Sequence, residues 1–172
     1  MVNERPTEHL ILSGNSFRDV TDNIVEILKR EQEDDPDQEL TWIKRVHDVY
    51  DSDIIHIPQA PCIAVSWQGY QRTVKTIGQK YPVREDIIND VIIYYYHEEI
   101  KDDIKKDEIR DALWEIDRIL RRNSDLNGLS AQGAAVEGGQ LMNRIRAEHP
   151  YSGGLIRLRV PVSIRTRRGV TP

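Results

Sequence analysis

The run Ile87-Ile88-Asn89-Asp90-Val91-Ile92-Ile93-Tyr94-Tyr95-Tyr96 narrows the possible folds more than any other part of this chain. It is dense in β-branched and aromatic residues, which fit a pleated and mostly buried strand. Its apolar stretch Ile92 to Tyr96 is strand-sized and far below the roughly 18–20 residues of a membrane-spanning helix. The chain therefore has to build a sheet around this run. With one phenylalanine, Phe17, the core must come mainly from Ile, Val and Leu. A length of 172 residues allows one domain, or one domain with an extra arm.

Two helices are legible by periodicity. From Ser16 to Glu31, the residues Phe17, Val20, Ile24, Ile27 and Leu28 recur at three- and four-residue spacing and form one stripe. Ser16 can cap the start, with Asp19 three residues later. From Glu98 to Asn123, Ile100, Ile104, Ile109, Leu113, Ile116 and Leu120 trace a second stripe, with charged residues on the other face. That stripe skips near Lys105-Lys106-Asp107, so a break is expected there, with Asp107 capping the main segment. Asn123 to Gly128 reads as a helix stop.

Between the helices lies a stretch from Glu33 to Tyr81 that reads as an irregular insertion. The acidic run Glu31 to Glu39, broken by Pro36, overlaps its start and reads as an exposed connector or as an acidic surface facing a partner or a DNA channel. Thr41 to Tyr50 fits a strand or a short helix equally well. Ile54 to Ile57 and Cys62 to Trp67 are short β-branched runs bounded by turn residues. Near the C-terminus, Ala134 to Ala147 reads as a strand with a bulge or bend at Gly138-Gly139. Tyr151 to Gly154 reads as a turn, and Leu155 to Arg165 alternates apolar and polar residues as a half-buried strand does. The last two strands predict a hairpin whose outer face is rich in arginine, followed by a flexible basic tail to Pro172. The order of elements predicts a single α+β domain, with an N-terminal helix and one long amphipathic helix packed on a mainly antiparallel sheet.

Charge is divided along the chain. Arg121 to Pro172 holds nine basic and three acidic residues, a balance of +6; the first 120 residues hold 15 basic and 26 acidic, a balance of −11. Acidic and basic faces could pair between neighbouring copies. The side chains singled out for such an interface are Glu33, Asp34, Asp35, Asp102 and Asp103 on the acidic side. On the basic side they are Arg157, Arg159, Arg165, Arg167 and Arg168. The arginines could also bind nucleic-acid phosphates. The net acidic chain and the lack of aromatics that would stack bases favour subunit pairing.

Catalytic constellations fail on inspection. His97-Glu98 begins like a zinc-protease helix, but Lys101 stands where the second histidine is needed. Asp53 and His56 lack a third ligand. Lone Cys62 excludes an intrachain disulfide and a cysteine-built zinc site, and reads as a small buried hydrophobe. No nucleophile elbow or phosphate-binding glycine loop is present. No residue stands out as catalytic, and no cofactor or metal is expected. A metal nuclease built from scattered carboxylates is the third-ranked alternative, behind a DNA-binding accessory module. The opening residues carry no signal-peptide pattern, so a soluble chain made in a reducing compartment is expected.

The stretch from Asp86 to Arg165 resembles the C-terminal part of tail-terminator, or tail-completion, proteins of long-tailed bacteriophages. The resemblance rests on an order of features. The Ile- and Tyr-rich strand Ile87 to Tyr96 comes first, then the amphipathic helix containing Asp111-Ala112-Leu113-Trp114-Glu115-Ile116-Asp117-Arg118-Ile119-Leu120. A short turn, Asn123 to Leu129, and a last hairpin with an arginine-bearing strand follow. The resemblance implies an α+β protomer that closes into a ring, usually a homohexamer, on the head-proximal end of the tail tube. Its implied partners are the tail tube protein and the neck or connector protein, with genomic DNA passing through the lumen without sequence-specific binding and no membrane involved. The implied location is the virion, after synthesis in the host cytoplasm. Such a ring needs heterologous contacts that close, two different patches on each copy.

Overall fold

The Ile- and Tyr-rich run lies in the central strand of a five-stranded sheet. The computed structural model describes residues 17–34, 40–51, 59–75, 83–99, 105–145 and 150–166. Helix α1 spans Phe17–Glu33 and α2 spans Lys105–Arg122. The strands are β1 (Val49–Tyr50), β2 (Cys62–Lys75), β3 (Val83–Glu99), β4 (Ala135–Ile145) and β5 (Pro150–Thr166). Their spatial order is β1-β2-β3-β5-β4. Only the short β1–β2 pair is parallel, and the other pairs are antiparallel. The fold is α+β with a mainly antiparallel sheet.

Alternation along β3 decides which face meets the helices. Val91, Ile93 and Tyr95 are buried in one cluster with Ile63 and Val65 of β2 and with Ile156, Leu158, Val160 and Val162 of β5. Val20, Ile24, Ile27 and Leu28 of α1, and Ile109, Ala112, Ile116, Ile119 and Leu120 of α2, close that cluster from above. Each fully buried Ile or Leu contributes about 1.5–3 kcal/mol. The intervening β3 residues point to the opposite face, where Tyr96 packs with Cys62, Ala64, Tyr50 and Tyr94.

Several expectations need correction. The second helix was expected from Glu98, but Glu98 and Glu99 belong to β3 and α2 begins at Lys105, inside the expected break. The sheet holds this end of β3, since Glu99 is still in register with Tyr151. Ile100 and Ile104 lie outside the described residues. The expected insertion at 33–81 is regular over most of its second half. There β2 pairs with β3 along nearly its whole length, and in the first half of the stretch Leu40, Ile43, Val46 and Val49 enter the core. Thr41 to Tyr50 becomes a 3-10 turn at Ile43–Arg45 followed by β1. The run at 54–57 lies outside the described residues.

Tyr151 to Gly154, expected as a turn, is strand. Gly153 pairs with Tyr96 and Gly154 with Tyr95 in β3, while β4 pairs on the other side. A Cβ at Gly153 would collide with the Tyr95 carbonyl oxygen. A Cβ at Gly154 would lie 2.5 Å from Leu113 Cδ1 and 3.1 Å from the Gln140 carbonyl oxygen. The two glycines therefore serve close packing rather than chain reversal. The bend expected at Gly138-Gly139 is present as a register shift between Val136 and Gly138. The helix stop after Asn123 also holds, with Leu126, Asn127 and Gly128 all at positive φ and Leu126 buried.

Polar contacts fix the helices to the segment that joins α1 to β1. Glu115 of α2 accepts the backbone N–H groups of Thr41 at 2.8 Å, Trp42 at 2.8 Å and Ile43 at 3.0 Å. Glu31 of α1 is buried and accepts from Arg122 and, at 3.3 Å, from Asn123 Nδ2. Glu115→Ala would leave three donors without their acceptor. It is expected to cost about 2–4 kcal/mol in urea-unfolding stability, with Glu115→Gln milder. Gly153→Ala is expected to lower the melting temperature far more than Gly138→Ala, whose added Cβ meets open space.

Candidate functional site

Strand order separates the two charged groups read from the sequence. Glu33 closes α1 and is exposed, as is Asp34, whose N–H donates to the Arg30 carbonyl at 2.8 Å. Helix α1 lies over the β1–β2 side of the sheet, whereas Arg157 and Arg159 are on β5, beyond β3. Among the described residues, Glu33 and Asp34 are not brought together with Arg157 and Arg159. Arg157 is exposed on the sheet face away from the helices, opposite Gly138 of β4. Arg159 is half-buried between Glu137 at 3.3 Å and Asp90 at 3.6 Å, and donates to Gln71 Oε1 at 3.4 Å. These carboxylates offset its charge, which weakens the phosphate-binding alternative for that side chain. Arg165 is in β5, in register with Arg84. Asp35, Asp102, Asp103, Arg167 and Arg168 lie outside the described residues.

Two grooves mark the margins of the sheet. One, of about 650 Å³, lies between α1 and β1 and is lined by Asp22, Glu26, Glu33, Asp48 and Asp51 together with Lys29 and Arg30. Val25, Val49 and Tyr50 are its less polar lining. Lys29 Nζ sits 3.0 Å from Asp48 Oδ1. Burial pushes the Asp48 carboxyl up, but the Lys29 ammonium and the Val49 N–H at 2.7 Å outweigh it and hold the group below its ordinary value. Burial and the neighbouring Asp48 push the Tyr50 phenol up.

The second groove, of about 260 Å³, lies between α2 and the edge strand β4. Leu113, Val136 and Ile156 supply apolar lining, with Arg110, Asp117 and Arg121 on the helix side. Trp114 stands beside it at 65% exposure. The sequence reading missed Trp114, although its signal was present: it falls off the stripe formed by Ile109, Leu113, Ile116 and Leu120. Phe17, read as part of the α1 stripe, is also partly exposed and stacks between Trp67 at 4.8 Å and Tyr70 at 4.6 Å. Asn89 holds Trp67 by accepting its indole N–H at 3.2 Å and donating to the Val160 carbonyl at 3.3 Å.

The residues that looked closest to catalysis take other roles. His97 is in β3 and not on a helix. Its Nδ1 is 3.0 Å from Tyr95 Oη and its Nε2 is 3.1 Å from Glu108 Oε2. This chain of contacts joins the end of β3 to the first turns of α2, with Tyr95 and His97 buried and Glu108 partly exposed. Among the described residues, no group of three or more His, Cys, Asp or Glu could hold a metal ion. Asp53 and His56 lie outside the described residues. No helix among the described residues is long and apolar enough to cross a membrane. No protein-family model matches the chain, and no curated protein matches it.

Cys62 is buried, and its surroundings push the thiol up to about 12, through burial first and the nearby Asp48 second. A thiol so raised is neutral at pH 8 and a poor nucleophile. Iodoacetamide at pH 8 is therefore expected to leave Cys62 unmodified in the folded chain and to label it fully in denaturant. Rapid labelling of the folded protein, followed by mass spectrometry, would contradict this assignment.

Proposed function

We propose that this chain is a tail-terminator protein of a long-tailed bacteriophage, a structural component of the virion without catalytic activity. Copies of it close into a ring, usually a hexamer, that caps the head-proximal end of the tail tube and joins it to the neck or connector protein. Genomic DNA passes through the lumen without sequence-specific binding. The observation that carries the reading is the order of elements on which the family resemblance rests. The Ile- and Tyr-rich strand leads to the long amphipathic helix, the turn at Asn123 to Leu129, and a closing hairpin with arginines on its last strand.

Physical considerations support the same reading. A ring subunit must present two different surfaces to its neighbours, so that the contact repeats around an axis. A sheet with both helices on one face leaves its two margins for that purpose. An acidic lumen would repel phosphates and let DNA slide past instead of binding it.

Adding the purified chain to polymerising tail tubes should stop their growth and leave a ring at one end of each tube in negative-stain images. Tubes that grow to the same length with and without the chain, and that carry no ring, would overturn the proposal.

A further inference from the structure

Opposite margins of the sheet carry surfaces that complement one another. The groove between α1 and β1 presents five carboxylates against Lys29 and Arg30, a local balance of −3. On the far side, the groove beside β4 is lined by Arg110 and Arg121 against Asp117 and Glu137, and Arg157 is exposed on β5, a balance of +1. Beside β4 stands Trp114, 65% exposed on a rigid helix. An exposed indole beside a groove with an apolar floor of Leu113, Val136 and Ile156 and a charged rim has the character of an interface anchor. Arg157 lies beneath the same margin, opposite Gly138, where a side chain would meet only open space. The edge strand therefore leaves its guanidinium uncovered.

We infer that copies of this chain associate head to tail, with the Trp114 and Arg157 margin of one copy seated on the α1–β1 groove of the next. The inference rests on the ring reading above and names the surfaces that would form the ring. Trp114 and Arg157 flank the β4 edge, one from the helix face and the other from the face away from the helices. The receiving groove offers Val25, Val49 and Tyr50 for the indole and acidic charge, including exposed Glu26, for the guanidinium. A two-fold dimer through the α1–β1 groove would set acidic charge on acidic charge, which disfavours it. A head-to-tail contact leaves one free surface of each kind on every pair, so that it repeats until the ring closes.

The test is sedimentation velocity of the full chain and of Glu26→Arg, Arg157→Glu and Trp114→Ala, with Arg157→Lys as a charge-keeping control. All four changes are at exposed positions, so melting temperatures close to the wild type are expected. Each of the first three should weaken association about tenfold or more, and the lysine control should not. Mixing Glu26→Arg with Arg157→Glu, or combining both in one chain, should restore it. If association needs the tail tube, tube capping becomes the readout for the same set. A wild-type chain that oligomerises while all three variants match it would overturn the surface assignment and leave the ring reading standing. A wild-type chain that stays monomeric with and without tube would overturn both.

Discussion

A carboxylate taken out of water is costly, and the Glu115 side chain stays folded into this protein because three backbone N–H groups converge on it. Those donors belong to the turn that follows the acidic connector, so one residue of α2 determines where the chain re-enters the core. Leu40, Ile43, Val46 and Val49 are buried as a result, and β1 is delivered alongside β2. Glu31 plays the matching part from α1, accepting from Arg122 and Asn123 at the end of α2. The two helices and the linking segment are thereby held as one layer above the sheet. The α1–β1 groove exists because of this arrangement, since its walls come from α1 and from the segment that Glu115 anchors.

The second constraint is how closely α2 approaches the sheet. Gly154 leaves room for Leu113 and Gly153 leaves room for the Tyr95 carbonyl, so β5 lies directly beneath the helix and joins β3 to β4. Larger side chains at either position would push the helix or the neighbouring strand away. That would open the small groove in which Leu113, Val136 and Ile156 meet and beside which Trp114 stands. The exposed tryptophan is thus a product of two packing decisions. The Ile109 to Leu120 stripe faces α2 inward, and the glycines set its height.

Parts of both the fold and the candidate surface were legible beforehand. Val20, Ile24, Ile27 and Leu28 occupy the core as their spacing predicts, because helical period alone assigns them to one side. The split between acidic and basic ends of the chain was visible by counting. The location of those charges was not, because it depends on β2 and β3 standing between the margins. Arg159 illustrates the limit: the alternation of β5 placed it with Arg157, yet only the register with β3 and β4 brings Asp90 and Glu137 to it. Trp114 was overlooked because attention to the apolar stripe passes over an apolar residue that lies off it.

The sequence by itself determined that this chain has an Ile- and Tyr-rich strand, two amphipathic helices and opposite charge in its two parts. Those properties follow from side-chain periodicity and composition, which are local and survive any arrangement of the elements. Tertiary structure alone decided that the strand begun by Cys62 to Trp67 runs on to Lys75 beside β3 and that Ser152-Gly153-Gly154 runs straight. It also decided that Glu98 and Glu99 extend β3. In each case a local preference for turn, irregular chain or helix is overruled by hydrogen bonds to a strand distant in sequence. Pairing energy from a neighbouring strand is absent from any window of consecutive residues, so it becomes visible only once the sheet has formed.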